Sequence, residues 1–220
     1  MLVPWRPDGG QRSALWDAIR PHVESFGWPV YEGDADGVWS RSRAVNTAAR
    51  LADEDGRWDV ALIHDTCAWV DVETIRVAVK TALAQRGFVV PYTTCHRLTQ
   101  TGTRRFLDDG NPDRLDRLDV EASWTGLSAP SGGVGAIHRE TWDVVGGMDG
   151  RFNVWGGEDT AFWWACQTLA TVGRVDGVLW SMWHPTVKAG NNRLELKDEY
   201  SPYRGDPAGM ATLIASRASR

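Results

Sequence analysis

Two carboxylates stand directly behind two glycines in Trp155-Gly156-Gly157-Glu158-Asp159, where an apolar segment begins. Acidic residues at the start of a helix are favoured by its dipole, so one reading is an N-terminal capping cluster. The other is an acid pair available for proton transfer to or from a bound hydroxyl. A second glycine pair, Gly132-Gly133, precedes the apolar run Val134 to Ile137, and without a Cβ such backbone lets another group come close. Arg41 lies in Ser40-Arg41-Ser42-Arg43-Ala44-Val45-Asn46. A guanidinium there suits phosphate, because its planar fork gives two parallel charge-assisted bonds, although an isolated Arg also reads as a solvated surface charge. The 13 tryptophans are an unusual count; each offers a flat apolar face and one N–H, suited to stacking on sugars or bases, and most are expected in the core.

The order of parts in residues 131–164 is more specific than any one of them. Gly132-Gly133-Val134, the helix-like Glu140 to Val145, the turn Gly146-Gly147-Met148-Asp149 and Trp155 to Asp159 follow one another here. This resembles the acceptor-binding segment of GT-A glycosyltransferases of the β-1,4-galactosyltransferase and polypeptide N-acetylgalactosaminyltransferase type. The resemblance covers Met1 to Lys188 apart from a middle insertion. It implies an α/β GT-A (Rossmann-like) single domain with a mostly parallel central sheet flanked by helices. It also implies a metal-dependent transferase that moves a sugar from a nucleotide sugar, expected to be a UDP-sugar, to an acceptor hydroxyl. Asp159 is then the candidate base and Glu158 the partner of the acceptor hydroxyl, with Trp155, Gly156 and Gly157 on the acceptor side.

The same resemblance assigns the donor side. Arg6, in Val3-Pro4-Trp5-Arg6, matches the family's opening segment. Arg41 and Asn46 match the segment that contacts the nucleotide, and Gly132 and Gly133 border the donor. Asp65, in His64-Asp65-Thr66-Cys67, stands where the family has the first carboxylate of its metal motif. Mn²⁺ or Mg²⁺ bound there would bridge the donor diphosphate. Cys67 holds the position of the second ligand, and His184, in Trp183-His184-Pro185, matches a third. The cysteine departs from the family pattern: a thiolate is a soft ligand and fits zinc better than the hard ions. Cys67 therefore ligates weakly, or leaves Asp65 to bind the ion with help from elsewhere, or marks a site with impaired metal binding; it also reads as an ordinary buried thiol.

These residues need a scaffold that brings distant stretches together. Apolar runs at Met1–Trp5, Trp28–Tyr31, Trp58–Ile63 and Phe88–Tyr92 read as strands, and Gln11–Phe26, Ser40–Leu51 and Val72–Leu83 carry helical spacing. Their alternation predicts a parallel α/β sheet with its ligand at the carboxyl ends of the strands. Ala161–Val172 reads as a helix and Val175–Trp183 as a strand. The expected organisation is a nucleotide-sugar half (1–95), an irregular insertion (96–128), an acceptor-binding and catalytic half (129–186) and a lid or loose tail (187–220), within one domain.

The net charge of −5 argues against nucleic-acid binding by charge alone. Three separated cysteines, Cys67, Cys95 and Cys166, form neither a disulfide framework nor a zinc spacing. No leader or membrane-spanning run is present, so a cytoplasmic enzyme without a membrane partner is expected, like the compact transferases encoded by phages. The expected partners are the nucleotide-sugar donor and an acceptor that is a sugar, a protein (a virion protein among them) or a hydroxymethylated DNA base. A non-catalytic carbohydrate-binding module of the same fold is the rival reading, favoured by the altered metal motif and the many tryptophans.

Overall fold

A computed structural model describes residues 1–153, 156–185 and 192–217. In chain order its elements are β1 (Leu2–Pro4), α1 (Gln11–Glu24), β2 (Tyr31–Gly33), α2 (Arg41–Asp55), β3 (Val60–His64), β4 (Ala68–Trp69), α3 (Val72–Gln85) and β5 (Phe88–Val90). They continue with β6 (Thr94–Leu98), α4 (Gln100–Asp109), β7 (Val120–Thr125), β8 (Val134–His138), α5 (Arg139–Val145), α6 (Glu158–Leu169), β9 (Val172–Arg174), β10 (Val178–Ser181), α7 (Asn192–Tyr200) and α8 (Pro207–Arg217).

The main sheet runs β2-β1-β3-β8-β5-β9. β1 is parallel to β2 and β3, and β5 to β9, while β8 is antiparallel to both of its neighbours. The mostly parallel sheet is therefore as expected. One strand of the later half lies at its centre, so the earlier and later halves of the chain share one core. The registry of β8 on β3, Val134 opposite His64, sets Gly133 beside Asp65, whose N–H donates to the Gly133 carbonyl at 2.7 Å. That pairing delivers the glycine pair to the carboxyl end of β3.

The helices pack through the faces their spacing predicts. In α1, Leu15, Trp16, Ile19 and Val23 are buried, and the helix runs through Pro21. α2 starts at Ser40, whose hydroxyl accepts the Arg43 N–H at 3.2 Å. Its inner face is mainly alanine (Ala44, Ala48, Ala49 and Ala52), which lets the helix lie close on β1 and β2. At the closest point a Cβ on Gly33 would sit 2.0 Å from the Ala44 carbonyl oxygen, so only glycine fits. Asp71 caps α3 by accepting from Glu73 and Thr74.

Residues 96–128 are not irregular. β6 and β7 pair antiparallel, α4 and a 3-10 turn lie between them, and β10 and β4 complete a second sheet of order β4-β10-β6-β7. The sequence hid this because little of it is covered: β6 buries Cys95 and Leu98, and α4 buries only Gly102, Thr103 and Phe106. Such short faces leave almost no apolar period to read. The segment expected as one strand from Val175 to Trp183 is β10 alone, with β9 before it. The described part of the tail is helical. α7 and α8 pack on α6, where Tyr200 and Met210 are buried and the Tyr200 hydroxyl donates to Asp149 at 2.8 Å. Among the described residues no helix is long and apolar enough to cross a membrane.

Candidate active site

Five chain segments meet at the carboxyl ends of β1 and β3. The end of β3 supplies Asp65, Thr66 and Cys67; the first turns of α1 and α2 supply Arg12 and Arg41; the start of α6 supplies Glu158 and Asp159. His184 comes from beyond β10. Together with Pro4, Val38, Trp39 and Asn153 they line a cavity of about 190 Å³. His184 is set there by its neighbours: the Trp183 N–H donates to the Thr103 hydroxyl at 2.7 Å, and the Trp183 carbonyl accepts from Gln11 Nε2 at 2.9 Å. The Met182 N–H donates to the Cys67 carbonyl at 2.8 Å, tying the β3 turn to the same strand end.

Arg41 is the centre of the arrangement. Its Nε donates to Asp65 Oδ1 at 2.7 Å and its Nη1 to Asp159 Oδ1 at 2.6 Å, with only 14% of its side chain exposed. Burial opposes its charge, but Asp159, Asp65 and Glu158 outweigh that and hold its pKa above the ordinary value. The residue expected to bind donor phosphate thus first fixes two acids. The glycine pair is needed for the same contact: a Cβ on Gly132 would lie 2.0 Å from Asp159 Oδ2. The close approach predicted at Gly132 is to the protein's own carboxylate.

Glu158 and Asp159 differ. Glu158 is buried and accepts the Gly156 N–H through Oε2 at 2.8 Å, so it does turn back on the chain just before its helix. Burial, reinforced by the charge of Asp159, pushes its pKa up to about 7. Asp159 keeps 33% of its side chain open, and burial with the Asp65 charge raises its pKa against the opposing pull of Arg41. Both acids also border a wider, open groove of about 700 Å³ that contains Gly156, Gly157, Trp163, Trp164, Arg174 and Arg204. The acid pair is the wall between two depressions.

The raised pKa of Glu158 gives a stability prediction. An acid whose pKa is higher folded than unfolded favours the fold below its unfolded value and loses that contribution as pH rises through the folded one. Thermal stability should fall between pH 4.5 and about 7, by about 3 kcal/mol. Melting curves of Glu158→Gln should lose this slope; an unchanged slope would assign it to other groups.

Other predicted residues sit elsewhere. Asn46 spends both ends of its amide on Met148, Nδ2 to the carbonyl at 2.8 Å and Oδ1 to the N–H at 3.0 Å, and so clamps the turn that packs Met148 beside Arg41. It does not line the cavity. Arg6 pairs with Asp34 at 2.8 Å, donates to the Gly37 carbonyl and lies over Trp39, so it shapes the loop that carries Val38 and Trp39. Trp155 lies outside the described residues. Sequence reasoning missed Arg12 and Trp39. Arg12 had a signal: it follows the turn after β1, where an α/β helix starts over the ligand site.

The side chains at the expected metal position do not fit a divalent ion. Asp65, Cys67 and His184 share the cavity, but among the described residues no three His, Cys, Asp or Glu side chains form a group able to hold a metal. Asp65 Oδ1 is taken by Arg41, and Arg12 Nη2 stands 3.4 Å from His184 Nδ1. The Cys67 thiol is half-buried, and burial with the Asp65 charge pushes its pKa up to about 12.

The sheet, the cavity at its strand ends and the acid pair at the start of α6 define a class: the chain has the GT-A glycosyltransferase fold. Residues 124–169, from β7 to the end of α6, match the family model described as the N-terminal domain of galactosyltransferase, so the segment that carries the acids is similar to that family's. Among solved structures, the Drosophila β-1,4-galactosyltransferase 7 catalytic domain is similar. A mutant of it in complex with manganese, UDP-Gal and xylobiose aligns over 89% of this chain and 76% of that one, at 16% identity and TM-score 0.56. Its xylobiose complex aligns over 89% and 77%, at 16% identity and TM-score 0.50. At that identity the likeness is one of fold. No curated protein matches the chain.

Proposed function

We propose that this protein transfers a sugar from a nucleotide sugar, a UDP-sugar, to an acceptor hydroxyl, with Asp159 as the base. One observation carries the reading: Asp159 stands between the strand-end cavity, where a nucleotide sits in α/β folds, and the tryptophan-lined groove behind it. A donor in the first and an acceptor in the second would meet at its carboxylate. The bond from the sugar C1 to the diphosphate oxygen breaks, and its electron pair leaves on that oxygen. The acceptor oxygen bonds to C1 and gives its proton to Asp159. Arg41 opposes the rise in the Asp159 pKa that burial and the Asp65 charge cause, and the raised pKa makes Asp159 a stronger base than a free carboxylate. Glu158, deeper in the wall, orients the acceptor hydroxyl. Trp163 and Trp164 line the groove with Arg174 and Arg204 lying over their rings, which gives the acceptor side an aromatic and cationic lining.

A donor-hydrolysis screen tests this. The chain is incubated with UDP-, GDP-, ADP- and CMP-linked sugars, each with EDTA or with Mn²⁺. Release of the nucleotide from a UDP-sugar is expected. No turnover with any donor under either condition would leave a sugar-binding module and overturn the proposal. Repeating the productive pair with simple glycosides, protein and hydroxymethylated DNA names the acceptor.

A further inference from the structure

The open groove on the far side of the acid pair carries two cations that no acid balances. Arg174 ends β9, which lies parallel to β5 in the main sheet. Its guanidinium lies over the Trp163 ring, 5.2 Å from the centroid, and over Tyr92 at 5.8 Å. Its Nη1 and Nη2 donate only to carbonyls, those of Tyr92, Ala129 and Pro130. Arg204 stands in the turn after α7, which is tied to α6 by the Gly205 N–H donating to Thr168 Oγ1 at 3.3 Å. Its guanidinium lies over the Trp164 ring at 4.8 Å and makes no ion pair or hydrogen bond among the described residues. The segments outside those residues contain no Asp or Glu, so no further acidic side chain remains for either cation. Both arginines line the groove with Glu158 and Asp159. Arg204 is exposed. Arg174 is partly buried, and burial holds its pKa below the ordinary value with no carboxylate to oppose it. A partly buried charge without a counter-charge is costly, and an anion in the groove would relieve that cost. Stacking on Trp164 fixes the Arg204 group while leaving its N–H donors open to a forked anion.

We infer that the acceptor is anionic: it carries a phosphate or carboxylate group that Arg174 and Arg204 hold while its hydroxyl meets Asp159. This rests on the sugar-transfer reading above. Along α6, Trp163 follows Asp159 by four residues, on the same face and about 6 Å away by helix rise. The cations over the tryptophans therefore stand about one helical turn from the base. An acceptor that bears its charge one sugar ring away from the reacting hydroxyl fits that spacing. The charges also orient it. The acid wall repels the anionic end and the arginines draw it, which leaves the neutral hydroxyl end at the base.

Calorimetry on the full chain with methyl glucoside, methyl glucuronide and glucose 6-phosphate tests the inference. The two charged probes should bind at least roughly tenfold tighter than the neutral one, the scale of one charged hydrogen bond. The tighter of the two identifies the group as carboxylate or phosphate. Arg204→Gln should bring the charged-to-neutral ratio toward one, and Arg204→Glu should push it below one. Because Arg174→Gln gives up contacts to three carbonyls, Arg174→Lys serves if the Gln variant melts early: it keeps the charge, loses the fork, and should lower the ratio by an intermediate factor. Equal binding of charged and neutral probes, or a ratio unchanged in both Arg204 variants, would overturn the inference. So would a ratio lost in Arg12→Gln instead, which would put the anion in the strand-end cavity. With a productive donor the charged probes should also be the better acceptors by kcat/KM. Transfer to the neutral glycoside at equal or higher kcat/KM would overturn the inference and leave the transferase reading standing. Arg204-dependent anion binding without turnover of any donor would support the anion site and overturn the transferase reading.

Discussion

Asp159→Asn is expected to lower sugar transfer by about two to four orders of magnitude, the usual range for losing a general base, while nucleotide binding changes little. The amide keeps the shape of the carboxylate and an oxygen for Arg41 Nη1, so the pocket is preserved. What is lost is the ability to take the acceptor proton. Transfer rates should rise with pH through the raised pKa of Asp159 in the wild type and lose that limb in the variant. Single-turnover rates with saturating donor check this. Near-normal turnover in Asp159→Asn would remove the residue from the role. Glu158→Gln, by contrast, should act at least as clearly on the acceptor KM as on kcat, because Glu158 orients the acceptor without accepting its proton.

Arg41→Ala should be the most damaging single change in the site. It leaves Asp65 and Asp159 facing one another without their shared cation. Breaking a buried pair from one side costs about 3–5 kcal/mol; here Asp65 and Asp159 keep 21% and 33% exposure, which lowers the expected loss to about 2–3 kcal/mol. The base suffers as well. Without the guanidinium the remaining influences on Asp159, burial and the Asp65 charge, both raise its pKa. The variant should therefore bind nucleotide diphosphate weakly, and its activity should start at higher pH. Arg41→Lys cannot restore both bonds, since one ammonium lacks the fork that reaches two acids. Adding Asp65→Asn to Arg41→Ala removes one of the opposed charges and should recover part of the stability without recovering transfer. Chemical denaturation of the four proteins measures this as a double-mutant cycle. Additive losses would mean that Arg41 and Asp65 are not coupled, and the account of the site would fail at its centre.

Local signals were legible where one face of an element meets the core. The buried face of α1 repeats at helical spacing, and the apolar strands β1, β3 and β5 carry their burial in composition. The Gly-Gly-Glu-Asp segment marked the start of α6 because glycines and acids gather there for physical reasons: Gly157 adopts φ +92°, and the two acids fall in the first turn. The β6–β7 sheet was not legible, because its strands bury too few side chains to impose a period.

By itself the sequence determined the α/β order of elements, the position of the acid pair at a helix start and the presence of arginines near strand ends. It also showed that cysteine holds one position of the expected metal motif. Only the tertiary structure decided which of these groups meet. Arg41 and Asp159 are 118 residues apart yet hydrogen-bonded. Asn46, adjacent in motif to Arg41, turns away to hold Met148. Arg12, which carried no motif, enters the cavity. The reason is that a side chain's role depends on the donors and acceptors left free around it. Those are fixed by strand register and helix packing, above all by β8 pairing antiparallel with β3 and bringing Gly132 against Asp159. No local pattern encodes that pairing, and it is what sets Asp65, Arg41 and Asp159 in one hydrogen-bonded line.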